Sequence, residues 1–287
     1  DRLAEFKVHT QQLMQQLQQR LQEYESFALF SQGFFAGSEF VSQEEFYRFS
    51  KSWLQKHDEI QAVEWAPKVL LSDRIQWEKQ QSALLNQNVF ITERGGTQRD
   101  AILINAKERP YYFPILYIEP WQKNKQMLAY DTQSNSGSSQ ILKQMMKEKI
   151  PLLSEPLKLI QSKTKESGVL LYVPILKPST IKNADDLKGV LILVLRNEAL
   201  LAKVHHDLIG KSFLLSVRDQ QTKQLIYGEE PSASNLKKIR SLKMYYQGTV
   251  SFGQRLWVID IWPSEQKLAS YQSWLTWLVL VIGLLST

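Results

Sequence analysis

The sequence predicts an α+β protein: a long N-terminal helix followed by two α/β units, each built on an antiparallel sheet. Three observations predict it. From Arg2 to about Phe35 no Gly or Pro interrupts the chain before Gly33, and apolar residues recur there at alternating spacings of three and four. In the middle, two strand-length apolar runs, Gly168 to Leu176 and Gly189 to Leu195, flank the polar, turn-prone segment Lys177 to Lys188. Beyond Gly210 the pattern restarts on a smaller scale, with four short runs of strand character.

In the first helix, Leu3, Phe6, Leu13, Leu17, Tyr24 and Phe27 form a narrow stripe like a coiled-coil seam, interrupted at Thr10 and Arg20. So narrow a stripe predicts a stalk, residues 1–41, that pairs with a second copy of the chain as a homodimer. A single amphipathic helix packed on its own domain is the other reading of the same spacing. Ser42 followed three residues later by Glu45 is a capping-box signature and opens a second helix to about Lys56. Ile60 to Leu70 is extended and apolar. Ser72 is expected to cap a third helix, Asp73 to Asn86, and Val89 to Thr92 reads as a short strand before the Gly95-Gly96 turn. Tyr111 to Ile118 alternates weakly, and Pro114 makes it an edge strand or a bulge. Helices are expected from Ser138 to Lys149 and from Asn197 to Asp207.

These elements make a larger unit over residues 42–208. A smaller one, 209–265, holds strands at Phe213 to Asp219, Gln224 to Tyr227, Met244 to Phe252 and Arg255 to Trp262. Gly253-Gln254 is a tight turn between the last two strands, and Glu229 to Leu236 reads as a loop.

The 287 residues carry a net charge of +6, no cysteine and four histidines. The basic residues are scattered rather than gathered on one face, so they predict a solvated surface and no nucleic-acid partner. Lack of cysteine removes disulfides, thiolate metal sites and cysteine nucleophiles. His205 and His206 are adjacent and cannot share one helical face, and His9 and His57 lie far off, so no metal site is predicted. No Gly-rich phosphate loop and no G-x-S-x-G elbow occurs, and nothing selects catalytic residues or a cofactor. From Trp274 the chain reads WLTWLVLVIGLL, with Trp274 and Trp277 placed as in an aromatic belt. Residues 266–287 are therefore expected to be an exit helix and the start of a membrane helix, and the chain a loop between two membrane spans.

At RPYYFPILYIEPWQKNKQMLAYD (Arg109 to Asp131), SGVLLYVPIL (Ser167 to Leu176) and GVLILVLRNEALL (Gly189 to Leu201), the sequence resembles the CHASE domain. That family is the extracellular sensor of bacterial cyclases and histidine kinases and of plant cytokinin receptors, and the likeness runs from about Trp53 to Trp262. It implies PAS-like topology for both units, a membrane-distal unit that holds a small-molecule ligand, and dimers formed through the stalk. Carried over by position, Asp131 matches the acidic ligand anchor and Ser154 the hydroxyl position. Tyr112, Pro114, Leu116, Tyr130, Leu170 and Tyr172 would wall the pocket. Ile192 and Leu193 stand where the plant receptors place glycines, so the cavity is expected to be narrower and the ligand other than a cytokinin.

A buried carboxylate suits a ligand that offers N–H groups. Asp131 as a cap or turn residue, and Ser154 as a turn residue before Pro156, are the structural alternatives. The resemblance implies a sensing domain in the periplasm, anchored in a bacterial inner membrane. The output would be a diguanylate cyclase or a histidine kinase. A double-Cache-like amino-acid sensor, with the ligand carboxylate on Arg109 or Tyr112, and a ligand-free structural or partner-binding module are the rival readings.

Overall fold

The computed structural model describes residues 2–38, 40–95, 102–159, 166–177, 186–208 and 212–270. The chain divides into two compact units, Glu23–Asn197 and a smaller one made of Asp1–Gln22 with Glu198–Thr287. The helix α1 (Arg2–Ala36) contributes to both. Phe6, Leu13, Leu17, Leu21, Tyr24, Phe27 and Phe35 along it are buried. Within the smaller unit Phe6 meets Phe213 with ring centroids 5.7 Å apart. Within the larger, Phe27 meets Trp53 at 4.5 Å and Phe35 meets Trp65 at 4.7 Å. The stripe read as a seam for a second copy is thus filled by the chain's own side chains. Spacing alone cannot distinguish the two, because both bury the same narrow face. Apolar residues that α1 leaves exposed include Val8, Leu29 and Phe30.

The larger unit continues with α2 (Gln43–Leu54), opened by the expected capping box: Glu45 N–H donates to Ser42 Oγ at 3.3 Å, and Ser42 N–H to Glu45 Oε2 at 2.8 Å. Then follow β1 (Ile60–Pro67), β2 (Val69–Leu70), α3 (Arg74–Leu85), β3 (Thr92–Gly95), β4 (Ile102–Asn105), β5 (Tyr111–Tyr112) and β6 (Tyr117–Glu119). After these come α4 (Trp121–Asn124), α5 (Ser136–Glu148), β7 (Leu152–Leu153), β8 (Leu157–Lys158), β9 (Ser167–Leu176) and β10 (Leu187–Arg196). The main sheet has six antiparallel strands in the order β6-β1-β10-β9-β7, with β8 also on β9. Two ribbons, β2-β5 and β3-β4, complete the unit.

Three sequence expectations shift here. Tyr111 to Ile118 is two short strands with an irregular stretch at Pro114, because proline lacks the N–H that a continuous ladder needs. The strand expected at Val89 to Thr92 begins at Thr92 instead. Ser72 lies in a 3-10 turn, Leu71–Asp73, and makes no cap; its hydroxyl donates to Asp73 Oδ1 at 3.0 Å.

Alternation on β1 gives the sheet its two faces. Trp65 turns toward Phe35 of α1, whereas Ala62 and Ala66 belong to a core with Ile118, Tyr130, Leu142, Met145, Tyr172, Val190, Ile192 and Val194. Leu142 and Met145 come from α5, which covers this second face.

The smaller unit runs on from α6 (Asn197–Leu208), whose first residue belongs to the larger unit. It holds β11 (Phe213–Asp219), β12 (Leu225–Tyr227), α7 (Ala233–Ser241), β13 (Tyr246–Phe252) and β14 (Arg255–Pro263). Its four-stranded sheet has the order β12-β11-β14-β13. Gly253 and Gln254, with φ of 51° and 67°, make the expected turn between β13 and β14, since such turns need positive φ at both central residues.

Where a loop was expected, α7 forms: Ser232 Oγ caps Asn235 N–H, and Ile239 packs with Trp262 and Leu268. One buried position in so short a helix leaves little periodicity to detect. Among the described residues no helix is long and apolar enough to cross a membrane. The apolar run from Trp274 and the boundary expected near Gly210 lie outside the described residues.

Candidate ligand-binding site

The α5 face of the larger sheet is apolar except along one line. Cross-strand partners set a row through five strands: Ile118 on β6, Glu64 on β1, Ile192 on β10, Tyr172 on β9 and Leu152 on β7. Every other member belongs to the apolar core, and Glu64 is itself 5% exposed. Tyr172 is buried, and its hydroxyl lies 2.8 Å from Ser138 Oγ in the first turn of α5. Burial pushes the Tyr172 phenol well above its ordinary range, and the negative charge of Glu64 adds to this. Tyr130 reaches the same core from the segment before α5, and burial likewise pushes its phenol up, with smaller contributions from Asp131 and Glu64.

Asp131 is fully buried beside Tyr130. Its Oδ1 accepts from Phe113 N–H at 2.9 Å and Gln133 N–H at 3.2 Å, and its Oδ2 from Arg109 Nη1 at 3.3 Å. Burial pushes its carboxyl above the ordinary range; the two backbone donors and Arg109 oppose the rise without cancelling it. Arg109 also reaches Glu93 Oε2 at 2.5 Å. Burial would raise the Glu93 carboxyl, but Arg109 and Lys107 N–H outweigh it and hold it below the ordinary range. The Arg109 guanidinium is therefore shared between two buried carboxylates.

The other residues singled out in the sequence divide. Leu170 packs against the same core as Tyr130 and Tyr172, and Pro114 forms a bridge with Asp131. Leu116 is half-buried, its N–H donating to Trp65 O at 2.8 Å. Tyr112 belongs to a separate small core with Val69, Ile91 and Ala106. Its hydroxyl accepts from Arg74 Nη1 at 3.1 Å and Arg109 N–H at 3.0 Å. Leu193 pairs with Val63 and Leu171, which puts it on the sheet face opposite Ile192 and Tyr172. Ser154 is buried in a local arrangement, donating to Glu155 O at 2.8 Å and accepting from Leu170 N–H at 2.9 Å.

Sequence reasoning missed Glu64 and Ser138. A signal for Glu64 existed, since it is the one charge in the apolar run IQAVEWAP. No comparable signal marks Ser138.

Among the described residues no group of His, Asp and Glu is placed to hold a metal ion. Around the Tyr130–Asp131 segment the arrangement offers carboxylates, a hydroxyl and the Arg109 guanidinium next to an apolar core, which suits recognition of a small polar molecule.

The CHASE domain family matches residues 39–227. The chain belongs to the CHASE domain family. CHASE domains are sensor domains. Hybrid signal transduction histidine kinase A of Dictyostelium discoideum is 28% identical over 137 residues, 46% of this chain and 6% of that protein. Among solved structures, an extracellular ligand binding receptor from Desulfohalobium retbaense DSM5692 superposes over 90% of this CHASE chain and 40% of its own, with a TM-score of 0.55 at 8% identity. Methyl-accepting Chemotaxis protein X does so over 91% and 97%, with a TM-score of 0.52 at 9% identity. At such identities the likeness is one of fold. This CHASE chain thus spans only 6% of its curated relative and 40% of the first of these structures.

Proposed function

We propose that this CHASE domain is the ligand-sensing part of a transmembrane signalling receptor, with its small-molecule site on the α5 face of the larger unit. The observation that carries this reading is that Tyr130 and Tyr172 bring two phenol groups into a largely apolar core, with the buried carboxyl of Asp131 next to Tyr130 in the chain. A core that served packing alone would gain by replacing such groups with apolar ones of similar volume. Asp131 and Ser154 remain the proposed polar contacts, with Pro114, Leu116 and Leu170 as lining residues; Tyr112, in its separate core, and Leu193, on the opposite sheet face, lie outside this lining.

The larger unit is the membrane-distal one in this reading and stands in the periplasm. The apolar sequence from Trp274 supports an inner-membrane anchor in this reading. Ligand binding would favour one of two arrangements of a homodimer, with α1 near its axis, and the difference in affinity between them drives the signal across the membrane. The likeness to a hybrid histidine kinase favours a histidine kinase over a diguanylate cyclase as the output.

A second reading, an amino-acid sensor of the double-Cache kind, draws on Arg109 beside Asp131, a cation and an anion that a zwitterion could bridge. A thermal-stability screen against a metabolite library tests both, because a ligand that binds only the native state raises its melting temperature. The screen is expected to yield a compound that stabilises the wild type and whose effect falls in Tyr172→Phe. A flat screen leaves a ligand-free structural module.

A further inference from the structure

We propose that the site selects a ligand with a neutral head group that both donates and accepts hydrogen bonds, a hydroxyl or a carboxamide, and that Thr92 and Ser134 bind it. The inference rests on the ligand-binding role proposed for the larger unit and adds the chemical class of what binds there.

Backbone pairing places Thr92. Its N–H donates to Ala129 O at 2.9 Å and its carbonyl accepts from Asp131 N–H at 2.8 Å, which makes a parallel bridge between Thr92 and Tyr130. Bridged residues turn their side chains to one side, and their chain neighbours turn to the other. Glu93 and Asp131 are those neighbours, and both reach Arg109. The segment therefore has a charged side, where two carboxylates and a guanidinium engage one another, and a side shared by Thr92 and Tyr130. Tyr130 belongs to the apolar core under α5, so the Thr92 hydroxyl borders that core.

The turn that follows brings two more polar groups to the same corner. Thr132–Ser134 is a 3-10 turn capped by Asp131, whose Oδ1 accepts from Gln133 N–H at 3.2 Å and whose carbonyl accepts from Ser134 N–H at 3.0 Å. Burial pushes the Tyr130 phenol up and the Ser134 hydroxyl opposes that rise, which sets this hydroxyl near the phenol, though short of hydrogen-bond geometry. Among the described residues Thr92 Oγ1, Gln133 Oε1 and Ser134 Oγ are buried atoms with no hydrogen-bond partner. Three such atoms in one corner are costly, since each forgoes its bond to water without a replacement.

The three groups define what would satisfy them. An amide oxygen only accepts, whereas a hydroxyl accepts and also has a proton to give. An ammonium would donate to all three and leave both hydroxyl protons without an acceptor. A carboxylate would accept from the hydroxyls and leave the Gln133 oxygen unmet. A hydroxyl or a carboxamide does both, whichever way the Gln133 amide is turned. The apolar side chains around Tyr130 would then hold the hydrocarbon part of the ligand.

The test uses the whole chain, two variants that each remove one hydroxyl, Thr92→Val and Ser134→Ala, and matched probes. The probes are polyols and monosaccharides, primary carboxamides, and the amines and carboxylates of the same skeletons. At least one neutral probe is expected to raise the melting temperature of the wild type while its charged counterparts do not, and the series that responds tells hydroxyl from carboxamide. Its affinity is expected to fall about 5- to 10-fold in each variant, the size of one neutral hydrogen bond. Without ligand, both variants are expected to melt no more than about 3 °C below the wild type, because neither hydroxyl has a bond within the protein to lose.

A larger drop in the free protein, or failure of either variant to fold, overturns the proposal, since that hydroxyl then holds the protein together. So does a ligand that binds wild type and both variants equally, or an amine or carboxylate that outperforms its neutral counterpart; if its effect falls in Tyr172→Phe, the ligand site itself still stands. If no probe and no metabolite binds, the ligand-binding reading and the assignment of Thr92 and Ser134 fall together.

Discussion

Replacing Asp131 by Ala and by Asn separates its structural from its electrostatic role. In the native protein three donors converge on this side chain: Phe113 N–H, Gln133 N–H and Arg109 Nη1. Alanine strands the Phe113 N–H in a fully buried setting, which costs about 1–3 kcal/mol, and removes a second, half-buried bond worth about 0.5–1.5 kcal/mol. The ion pair adds under about 1 kcal/mol, because Arg109 is one-fifth exposed and keeps Glu93. The expected loss for Asp131→Ala is about 2–4 kcal/mol. Asparagine keeps an oxygen for both backbone donors and turns its NH2 toward Arg109, so Asp131→Asn is expected to cost about 1 kcal/mol.

For a unit of this size 1 kcal/mol moves the melting point by roughly 2–4 °C, so the alanine variant should melt about 4–16 °C lower. Urea unfolding gives the free energies, and hydrogen exchange at the Phe113 amide gives the local consequence. That amide should exchange much faster in the alanine variant than in the asparagine one. Loss of less than about 0.5 kcal/mol in Asp131→Ala would refute the reasoning, since a change that small is typical of surface sites. An Asn variant as damaged as Ala would refute the division of labour.

Other consequences follow from the same physics. Lys188 Nζ donates to Ser38 O at 2.6 Å and Phe35 O at 3.5 Å, so it satisfies carbonyls at the end of α1. Lys188→Met is expected to cost about 0.5–1 kcal/mol in urea unfolding and to loosen the last turn of α1 in hydrogen exchange. Gly228 has a φ of 74°, and a Cβ there would fall 2.0 Å from Leu215 O, so Gly228→Ala should destabilise the smaller unit by about 1–3 kcal/mol by calorimetry.

The pH dependence has opposite signs in different places. Burial would raise the Asp219 carboxyl, but Arg255 and Thr222 hold it below the ordinary range, as Arg109 does for Glu93. Stability from these two is present above their unfolded values and is lost as pH falls through the folded ones. Asp131, raised by burial, works the other way: stability is lost as pH climbs from its unfolded value through its folded one. Arg255→Met should therefore flatten the acid limb of the smaller unit's stability curve, as followed by pH-dependent urea titration. An unchanged slope would show that Asp219 does not depend on Arg255.

How much of this was legible in the sequence depends on the range of the chemistry involved. The Ser42–Glu45 capping box and the Gly253-Gln254 turn are settled within four residues, and both could be read directly. The apolar stripe of α1 was equally visible, but what covers it was not, because Leu13 and Leu17 report only that they are buried. Tyr112 and Tyr130 look alike in sequence and end in different cores. They lie on different segments, separated by β6 and α4, so no alternation relates one to the other. Whether Leu193 and Tyr172 share a face was hidden for a related reason. Both lie on long apolar strands, and only the register Ile192↔Tyr172 shows which side chains share a face. Glu64 required the same register, since its partners come from strands more than fifty residues away.

The most direct measurement is NMR of the full chain labelled at tyrosine, recorded while a stabilising small molecule is added. A ligand held between α5 and the larger sheet should shift the resonances of Tyr130 and Tyr172 first and in proportion to occupancy, and leave Tyr245 and Tyr246 of the smaller unit in place. A stabilising compound that moves only the tyrosines of the smaller unit, with Tyr130 and Tyr172 unchanged at saturation, would contradict the site.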